Sequence, residues 1–251
     1  MKFQLWSFGH FLYILSSFII FLPLFFLVRK RSEKTKNIVG IILGAISIFI
    51  LVLRNVDIFI ASGWDLEVIP LQVCHIGSII AGLALITKKK WMLLTAFCFN
   101  LLPAILAMVF ADALANYETI LRIRPQTYIW GHILIVVCAL YGLFIYKPHF
   151  EKRDLIFAII FVAIMAVVAI ICNSAFRTLL SWQPNYFYLY DYTGTPLKFL
   201  YNVLPPSSYG WFTINWFYTI VLFTFFVGVF ILLYFVSKLI VSLIEKQEAK
   251  Q

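Results

Sequence analysis

Seven long apolar runs, separated by short polar segments, dominate the hydrophobic pattern of this chain. A transmembrane helix needs about 20 mostly apolar residues, and backbone groups in lipid must hydrogen-bond within their own segment. The pattern therefore predicts an all-α fold, a polytopic integral membrane protein with seven transmembrane helices in one domain, 1–251. The predicted spans are approximately residues 11–28, 38–61, 69–87, 91–110, 128–146, 155–172 and 211–237.

The segment between the sixth and seventh runs, residues 173–210, is long and rich in Tyr, Phe, Trp and Pro. Residues such as Trp182, Tyr188 and Tyr190 suit the headgroup layer, where an aromatic ring is half wetted. A long loop in a compact protein is often functional, for example a lid. Two interpretations stay open: a lid lying on the outer surface, or an interfacial anchor.

Composition supports a membrane protein and excludes an ordinary soluble domain. Hydrophobic residues make up 63% of the chain and charged residues 12%, whereas soluble domains carry about 25% charged residues. The four cysteines are scattered along the chain and do not form the pattern of a disulfide framework.

The net charge of +9 comes from basic residues in short turns, which is the pattern of membrane topology and not of nucleic-acid binding. Fourteen of the 20 Lys and Arg residues follow spans one, three, five and seven, whereas five lie on the opposite side. The positive-inside rule therefore predicts a multi-pass protein of the cell membrane with its N-terminus outside and its C-terminus cytoplasmic. The fourteen are Arg29, Lys30, Arg31, Lys34, Lys36, Lys88, Lys89, Lys90, Lys147, Lys152, Arg153, Lys238, Lys246 and Lys250.

Polar residues inside a membrane are costly and are usually functional. In this chain they gather at one depth, near the predicted outer ends of the spans, whereas the inner halves are almost entirely aliphatic and aromatic. This distribution predicts a shared polar site below the outer face. The residues at this level are His10, Arg54, Asn55, Asp57, Gln72, Cys74, His75, His132, Asn173, Arg177 and Asn215.

Taken singly, several of these residues have a simpler structural explanation. Arg54 and Asp57 are spaced i, i+3 and could neutralise each other on one helix face. His10 could be an interfacial residue, and Asn100 in span four could hydrogen-bond a neighbouring helix. A metal site from His10, His75, His132 and Cys74 is disfavoured, because adjacent residues on a helix point about 100° apart. We therefore predict no metal.

Other function classes fit the residues less well. A proton-coupled transporter needs a buried carboxylate near the midplane, and Asp57 is not central. A retinal protein needs a lysine deep in its last span, where the first lysine is Lys238 at the far end. A receptor-like bundle fits the number of spans, which is a weak criterion by itself.

Covalent catalysis is the remaining class. A cysteine is nucleophilic as its thiolate, which a neighbouring histidine or cation favours. Cys74 is thus a candidate nucleophile and His132 a candidate general base. The planar guanidinium of Arg54 suits a phosphate or a developing oxyanion, and His75 could orient the pair.

Three segments carry a resemblance to a known family. They are Ile-Pro-Leu-Gln-Val-Cys-His at 69–75, Tyr-Ile-Trp-Gly-His at 128–132, and Asn185-Tyr186 followed by Leu204-Pro205-Pro206 and Tyr209. In their order and spacing they resemble the YwaF-like bacterial integral membrane proteins, which are similar to the animal cysteine acyltransferase called transmembrane protein 164. The motifs cover spans three to seven, most of the chain.

The resemblance implies a seven-span fold and acyl transfer between membrane phospholipids, with Cys74 as nucleophile and His132 as general base. We expect a transacylase whose site faces the extracellular side, with a membrane phospholipid as substrate. No cofactor is expected, because exchange of one ester for another is nearly balanced in energy. The alternative is a non-enzymatic lipid or small-molecule binder or transporter with an outward polar cavity. The expected supporting residues are Arg54, Asn55, Gln72, His75, Asn173, Asn185 and Tyr186.

Overall fold

The computed structural model describes residues 2–193, 195 and 197–250 of the chain. In this part of the chain, seven helical segments are long and apolar enough to cross a membrane, which confirms the predicted all-α, seven-span architecture. The seven segments are Phe8–Val28, Glu33–Ser62, Leu66–Thr87, Lys90–Ala115, Ile123–Phe144, Lys152–Leu179 and Trp216–Glu248.

The regular elements are numbered along the chain. The helices are α1 (Phe8–Val28), α2 (Glu33–Ser62), α3 (Val73–Thr87), α4 (Lys90–Thr95), α5 (Leu101–Val109), α6 (Asp112–Ala115), α7 (Ile123–Phe144), α8 (Lys152–Leu179), α9 (Lys198–Tyr201) and α10 (Trp216–Glu248). Strands β1 (Ser207–Tyr209) and β2 (Phe212–Ile214) form an antiparallel hairpin. Helix α2 ends and helix α3 begins at the same end of the bundle, which we call the site end. We call the opposite end the basic end.

Helix α7 is the centre of the bundle. It packs against α1, α2, α3 and α5, and 72% of its most apolar stretch is buried, compared with 17% for α8 and for α10. Its sequence from Ile133 to Leu143 is apolar on every side, which is typical of a helix surrounded by other helices. Residues on the first turns of α7 are therefore held against α3 and α5.

Helices α2 and α3 cross at two glycines. A Cβ atom added at Gly44 would lie 2.5 Å from the backbone oxygen of Gly82, and one added at Gly82 would lie 2.6 Å from the oxygen of Gly44. Small residues allow such close backbone approach in membrane helices. This crossing fixes the position of the first turn of α3 relative to the end of α2.

Helices α7 and α10 begin at other residues than the sequence predicts. Helix α7 begins at Ile123 instead of 128, with Pro125 in its first turn, where the missing N–H has no helical partner in any case. Helix α10 begins at Trp216 instead of 211, because residues 207–214 form the β-hairpin around Gly210, whose φ is +63°. The earlier start of α7 brings Arg124 into its first turn.

The fourth span is interrupted by a π-helical segment, Ala96–Asn100, between α4 and α5. Pro103 follows three residues later and has no N–H to donate to the preceding turn, so the helix widens there instead of continuing its regular ladder. Wide turns of this kind re-aim side chains and are frequent at functional sites. Here the segment ends at Asn100, which is 2% exposed.

We name residues 180–210 the aromatic segment, and its described part folds back onto the bundle. Helix α8 continues to Leu179, beyond the predicted end at 172. The Asn173 amide donates to the Tyr186 carbonyl at 3.0 Å and accepts from the Tyr186 N–H at 2.7 Å. The Tyr186 hydroxyl donates to Leu66 O at 3.0 Å, and burial raises the pKa of Tyr186 to about 12, so the hydroxyl stays a donor. Residues 194 and 196 of the predicted loop lie outside the described residues.

Candidate functional site

A cavity of about 370 Å³ lies at the site end of the bundle. Its walls come from α2, α3, α5, α6 and α7, together with the turn that precedes α3 and with Tyr188 of the aromatic segment. Five of the polar residues singled out in the sequence line it: Arg54, Gln72, Cys74, His75 and His132. Residues that are up to 78 positions apart in sequence (Arg54 to His132) thus share one space.

Cys74 lies in the first turn of α3. The helix cap, Gln72, makes no side-chain hydrogen bond to this turn, and the first helical bond runs from Ile76 N to Gln72 O at 3.0 Å. The first amides of a helix have no partner within it, and those of Cys74 and His75 belong to this first turn. Free amides and the positive end of the helix dipole both favour a thiolate or an oxyanion at this position.

His132 lies in the third turn of α7 and is 4% exposed. Its Nδ1 atom is 2.8 Å from the carbonyl oxygen of Tyr128. Because a carbonyl only accepts hydrogen bonds, Nδ1 carries the proton, and in the neutral ring Nε2 carries the lone pair. Of the two ring nitrogens, only Nδ1 forms a hydrogen bond within the described part of the chain. This is the tautomer that a general base requires.

A charged cluster of three residues lines the same cavity. The Glu67 carboxylate accepts from the Arg54 guanidinium at 2.6 Å and contacts that of Arg124 at 2.7 Å. Arg54 also donates to the backbone oxygen of Glu67 at 2.8 Å. One carboxylate between two guanidiniums leaves a net positive charge in the cluster. Arg54 is also close enough to Cys74 for the two to interact electrostatically.

Three buried polar atoms of cavity-lining residues have no hydrogen-bond partner in the described structure: Oδ1 of Asn100, Nδ1 of His75 and Nε of Arg124. The Asn100 amide nitrogen donates to Gly77 O at 3.2 Å, across to α3. The expected helix-to-helix hydrogen bond of Asn100 is therefore present, and its Oδ1 remains free as an acceptor. Buried polar atoms are nearly always paired, so these three are candidates for contacts with a substrate.

The aromatic segment contributes Tyr188 to the cavity wall. Phe187 and Tyr188 both have a left-handed backbone, with φ of 57° and 55°, and the Phe187 ring stacks on Phe99 of the π-helical segment at 5.9 Å. Burial, with a smaller contribution from Cys74, raises the pKa of Tyr188, so its hydroxyl stays protonated. Backbone strain of this kind is concentrated at functional sites and lids.

Four of the expected supporting residues lie outside the cavity wall and hold its surroundings together. Asn55 donates to Val68 O at 3.0 Å in the turn before α3. Asn173 and Tyr186 join α8 to the aromatic segment. Asn185 accepts from the amides of the next turn and donates to the side chain of Asp191 at 2.9 Å.

Fewer polar residues share the cavity than the sequence predicts. His10 is fully buried but does not line the cavity: its Nε2 lies 2.9 Å from Met108 O and its Nδ1 accepts from Trp6 N. Arg177 binds the aromatic segment, and Asn215 caps α10. Arg54 is paired with Glu67 and not with Asp57, because the turn before α3 brings Glu67 across the end of α2.

Among the charged and amide side chains of the cavity, three were not expected from the sequence as members of the site: Glu67, Arg124 and Asn100. Glu67 and Arg124 lie outside the predicted spans, where charged residues are ordinary and do not indicate a site. The sequence does contain a signal for Glu67. The chain has only 11 acidic residues, and Glu67 comes just before the Cys74 motif.

Fold and site together define a multi-pass membrane protein with a cysteine and a histidine in one polar cavity at the end of a seven-helix bundle. The chain belongs to the TMEM164 family, whose family model matches residues 5–240. No curated protein and no solved structure gives a significant match.

Proposed function

We propose that this protein is a membrane-embedded transacylase that moves a fatty acyl chain from a phospholipid to a lipid-type acceptor through a thioester on Cys74. The proposal rests on one observation: the same cavity contains a candidate nucleophile and a candidate base. Cys74 lies at a helix N-terminus, and His132 is in the tautomer whose Nε2 can take a proton. With the orientation that the Lys and Arg distribution predicts, the cavity opens toward the extracellular leaflet.

In the first half-reaction, His132 Nε2 removes the thiol proton and Cys74 Sγ attacks the carbonyl carbon of an acyl ester. The tetrahedral intermediate carries an oxyanion, which the free amides of the first turn of α3 can bind. The bond from the carbonyl carbon to the glycerol oxygen then breaks, and the His132 imidazolium returns its proton to that oxygen. The products are a lyso-lipid and the Cys74 thioester.

In the second half-reaction, an acceptor hydroxyl or amine gives its proton to His132 Nε2 and attacks the thioester carbon. The carbon–sulfur bond breaks, the acyl chain remains on the acceptor, and the proton returns to the Cys74 sulfur. The free Oδ1 of Asn100 can accept a hydrogen bond from the acceptor group. No nucleotide or metal takes part in either half.

Other features of the cavity suit a phospholipid. The net positive charge of the Arg54, Glu67 and Arg124 cluster complements a phosphodiester, which guanidinium groups bind in a planar, two-point geometry. Residues such as Ile50, Leu51 and Ile135 give the deeper wall an apolar surface for an acyl chain. Tyr188 and the aromatic segment limit water, which favours transfer over hydrolysis.

The test is acyl transfer by the purified protein in nanodiscs that contain a phospholipid with an isotopically labelled acyl chain. Intact-protein mass spectrometry should show one acyl adduct, located on Cys74 by peptide mapping. Cys74→Ala should abolish the adduct and the transfer, and His132→Gln should lower the rate by about 10²-fold or more.

Cys172→Ala and His149→Gln are the matched controls. Cys172 is also a half-buried cysteine near the site end, and His149 is exposed at the basic end; neither lines the cavity. Both variants should keep the wild-type rate. Transfer at the wild-type rate by a folded Cys74→Ala variant would overturn the proposal.

A second candidate function is non-enzymatic binding or transport of a lipid or small molecule, which the charged cluster in the cavity favours. In that case Arg54→Ala should reduce lipid binding, whereas Cys74→Ala should leave both binding and transport unchanged. A transacylase should instead lose turnover in Cys74→Ala while still binding its phospholipid.

A further inference from the structure

A second cavity, of about 640 Å³, lies at the basic end, away from Cys74. Leu140 and Phe144 of α7 form its floor, five α1 residues from Phe18 to Phe26 form one wall, and Ile244, Gln247 and Glu248 of α10 form the other. Arg29 and Lys30 lie at its mouth, directly after α1. We name this space the basic-end groove.

The groove has the length of a lipid chain in one leaflet. From Phe18 to Arg29 the helix advances eleven residues, or about 16 Å at 1.5 Å per residue, and one leaflet contributes about half of a hydrocarbon core roughly 30 Å thick. Four of the five α1 wall residues are phenylalanine. Phe18, Leu22 and Phe26 are between 41% and 60% exposed, so the groove is open along its side to the surrounding lipid.

The charges around the mouth are not balanced. The acidic groups of α10 already have partners, since Glu248 contacts Lys147 and Glu245 lies 3.0 Å from His149. Arg29 lies over the rings of Phe25 and Phe26, with 5.4 and 4.8 Å from its Cζ atom to the ring centroids. Across residues 2–193, 195 and 197–250, neither Arg29 nor Lys30 forms an ion pair.

We propose that the basic-end groove is a binding site for an anionic phospholipid of the leaflet at this end, with one acyl chain along the phenylalanine wall and the headgroup phosphate at Arg29 and Lys30. The apolar wall and the two uncompensated cations match the two halves of such a lipid. This site is separate from the transacylase cavity, and the inference does not rest on the proposed catalytic activity.

The test uses electron paramagnetic resonance of the purified protein in phosphatidylcholine vesicles with a small fraction of spin-labelled phosphatidylglycerol or spin-labelled phosphatidylcholine. The motionally restricted fraction measures lipid bound to the protein surface. One basic residue near the membrane surface favours an anionic lipid about fivefold. The wild-type protein should therefore prefer phosphatidylglycerol at least about fivefold, and the double variant Arg29→Ala/Lys30→Ala should lose most of that preference.

The control for charge is Arg31→Ala/Lys34→Ala, which removes two exposed basic residues at the same end that do not line the groove. It should keep the preference of the wild-type protein. An equal loss in both double variants, or no preference in the wild-type protein, would overturn the proposal in favour of a general surface field.

The control for the groove itself compares two tryptophan substitutions on α1. Leu22 lines the groove and is 51% exposed, whereas Leu27 is 66% exposed on another face of the same helix. Leu22→Trp should fill the space and reduce the restricted phosphatidylglycerol fraction severalfold, and Leu27→Trp should not. Equal lipid binding by these two variants would also overturn the proposal, even if the arginine and lysine variant failed to fold.

Discussion

The three buried histidines of this protein differ in their hydrogen bonds. These bonds decide whether each ring can transfer a proton. Both nitrogens of His10 are bonded to backbone groups. His132 uses Nδ1 and keeps Nε2 free, whereas Nδ1 of His75 has no partner in the described structure. A histidine with both nitrogens in use is structural, and one with a free, unprotonated nitrogen in a cavity can move a proton.

The residue scale gives a stability prediction for His10. His10→Phe keeps an aromatic ring but leaves the carbonyl of buried Met108 and the part-buried Trp6 amide without partners. A buried polar group left unpaired costs about 1–3 kcal/mol, so the thermal midpoint in detergent should fall by several degrees. His149→Phe, at an exposed position, is the control and should change the midpoint little. An unchanged midpoint in His10→Phe would show that these contacts do not stabilise α1 against α5.

At the scale of elements, the site depends on where helices are interrupted. Cys74 gains free amides because a helix begins there, and Asn100 faces the cavity at the end of a widened turn. The turn Leu66–Val68 carries Glu67 across the end of α2. Each of these positions lies at an irregularity that a continuous transmembrane helix would not provide.

The crossing of α2 and α3 gives a prediction at this scale. Gly82→Ala places a methyl group 2.6 Å from the Gly44 oxygen, which forces the two backbones apart. We expect a loss of folded protein or a fall of the thermal midpoint by many degrees, measured by size-exclusion chromatography after heating. Gly228→Ala is the matched control, because a Cβ there meets nothing within 4 Å, and alanine favours a helix by about 1 kcal/mol over glycine. Two equally stable variants would contradict the close crossing.

At the scale of the whole molecule, the two ends of the bundle differ in chemistry. The site end holds the polar cavity and the aromatic segment, and the basic end holds most of the Lys and Arg residues and the basic-end groove. This asymmetry is the basis of the predicted orientation, with the site end outside and the basic end in the cytoplasm.

The orientation can be measured with single introduced cysteines and a membrane-impermeant maleimide. Ser208 is exposed in the hairpin at the site end, and Lys89 is exposed at the basic end. Ser208→Cys should be labelled in intact cells, whereas Lys89→Cys should be labelled only after the membrane is opened. Both should be made in a background without the four native cysteines. The reverse pattern would place the proposed active site on the cytoplasmic side.

Much of the architecture could be predicted from the amino-acid sequence. The number of spans, their approximate limits and the alternation of their direction follow from local composition, because lipid requires about 20 apolar residues per span and internal backbone hydrogen bonding. The gathering of Arg54, Cys74 and His132 at one level also follows, since depth along a regular helix depends only on residue count.

Tertiary packing decided which of these polar residues meet. Depth places a residue at a level but not around the bundle, and rotation of each helix is set by contacts such as the crossing at Gly44 and Gly82. Glu67 and Arg124 reach the cavity through a turn and an early helix start, and His10 is directed to Met108 instead. The sequence by itself determined the spans and the level of the polar residues; only the packed structure decided their partners, because contacts between helices depend on residues far apart in the chain.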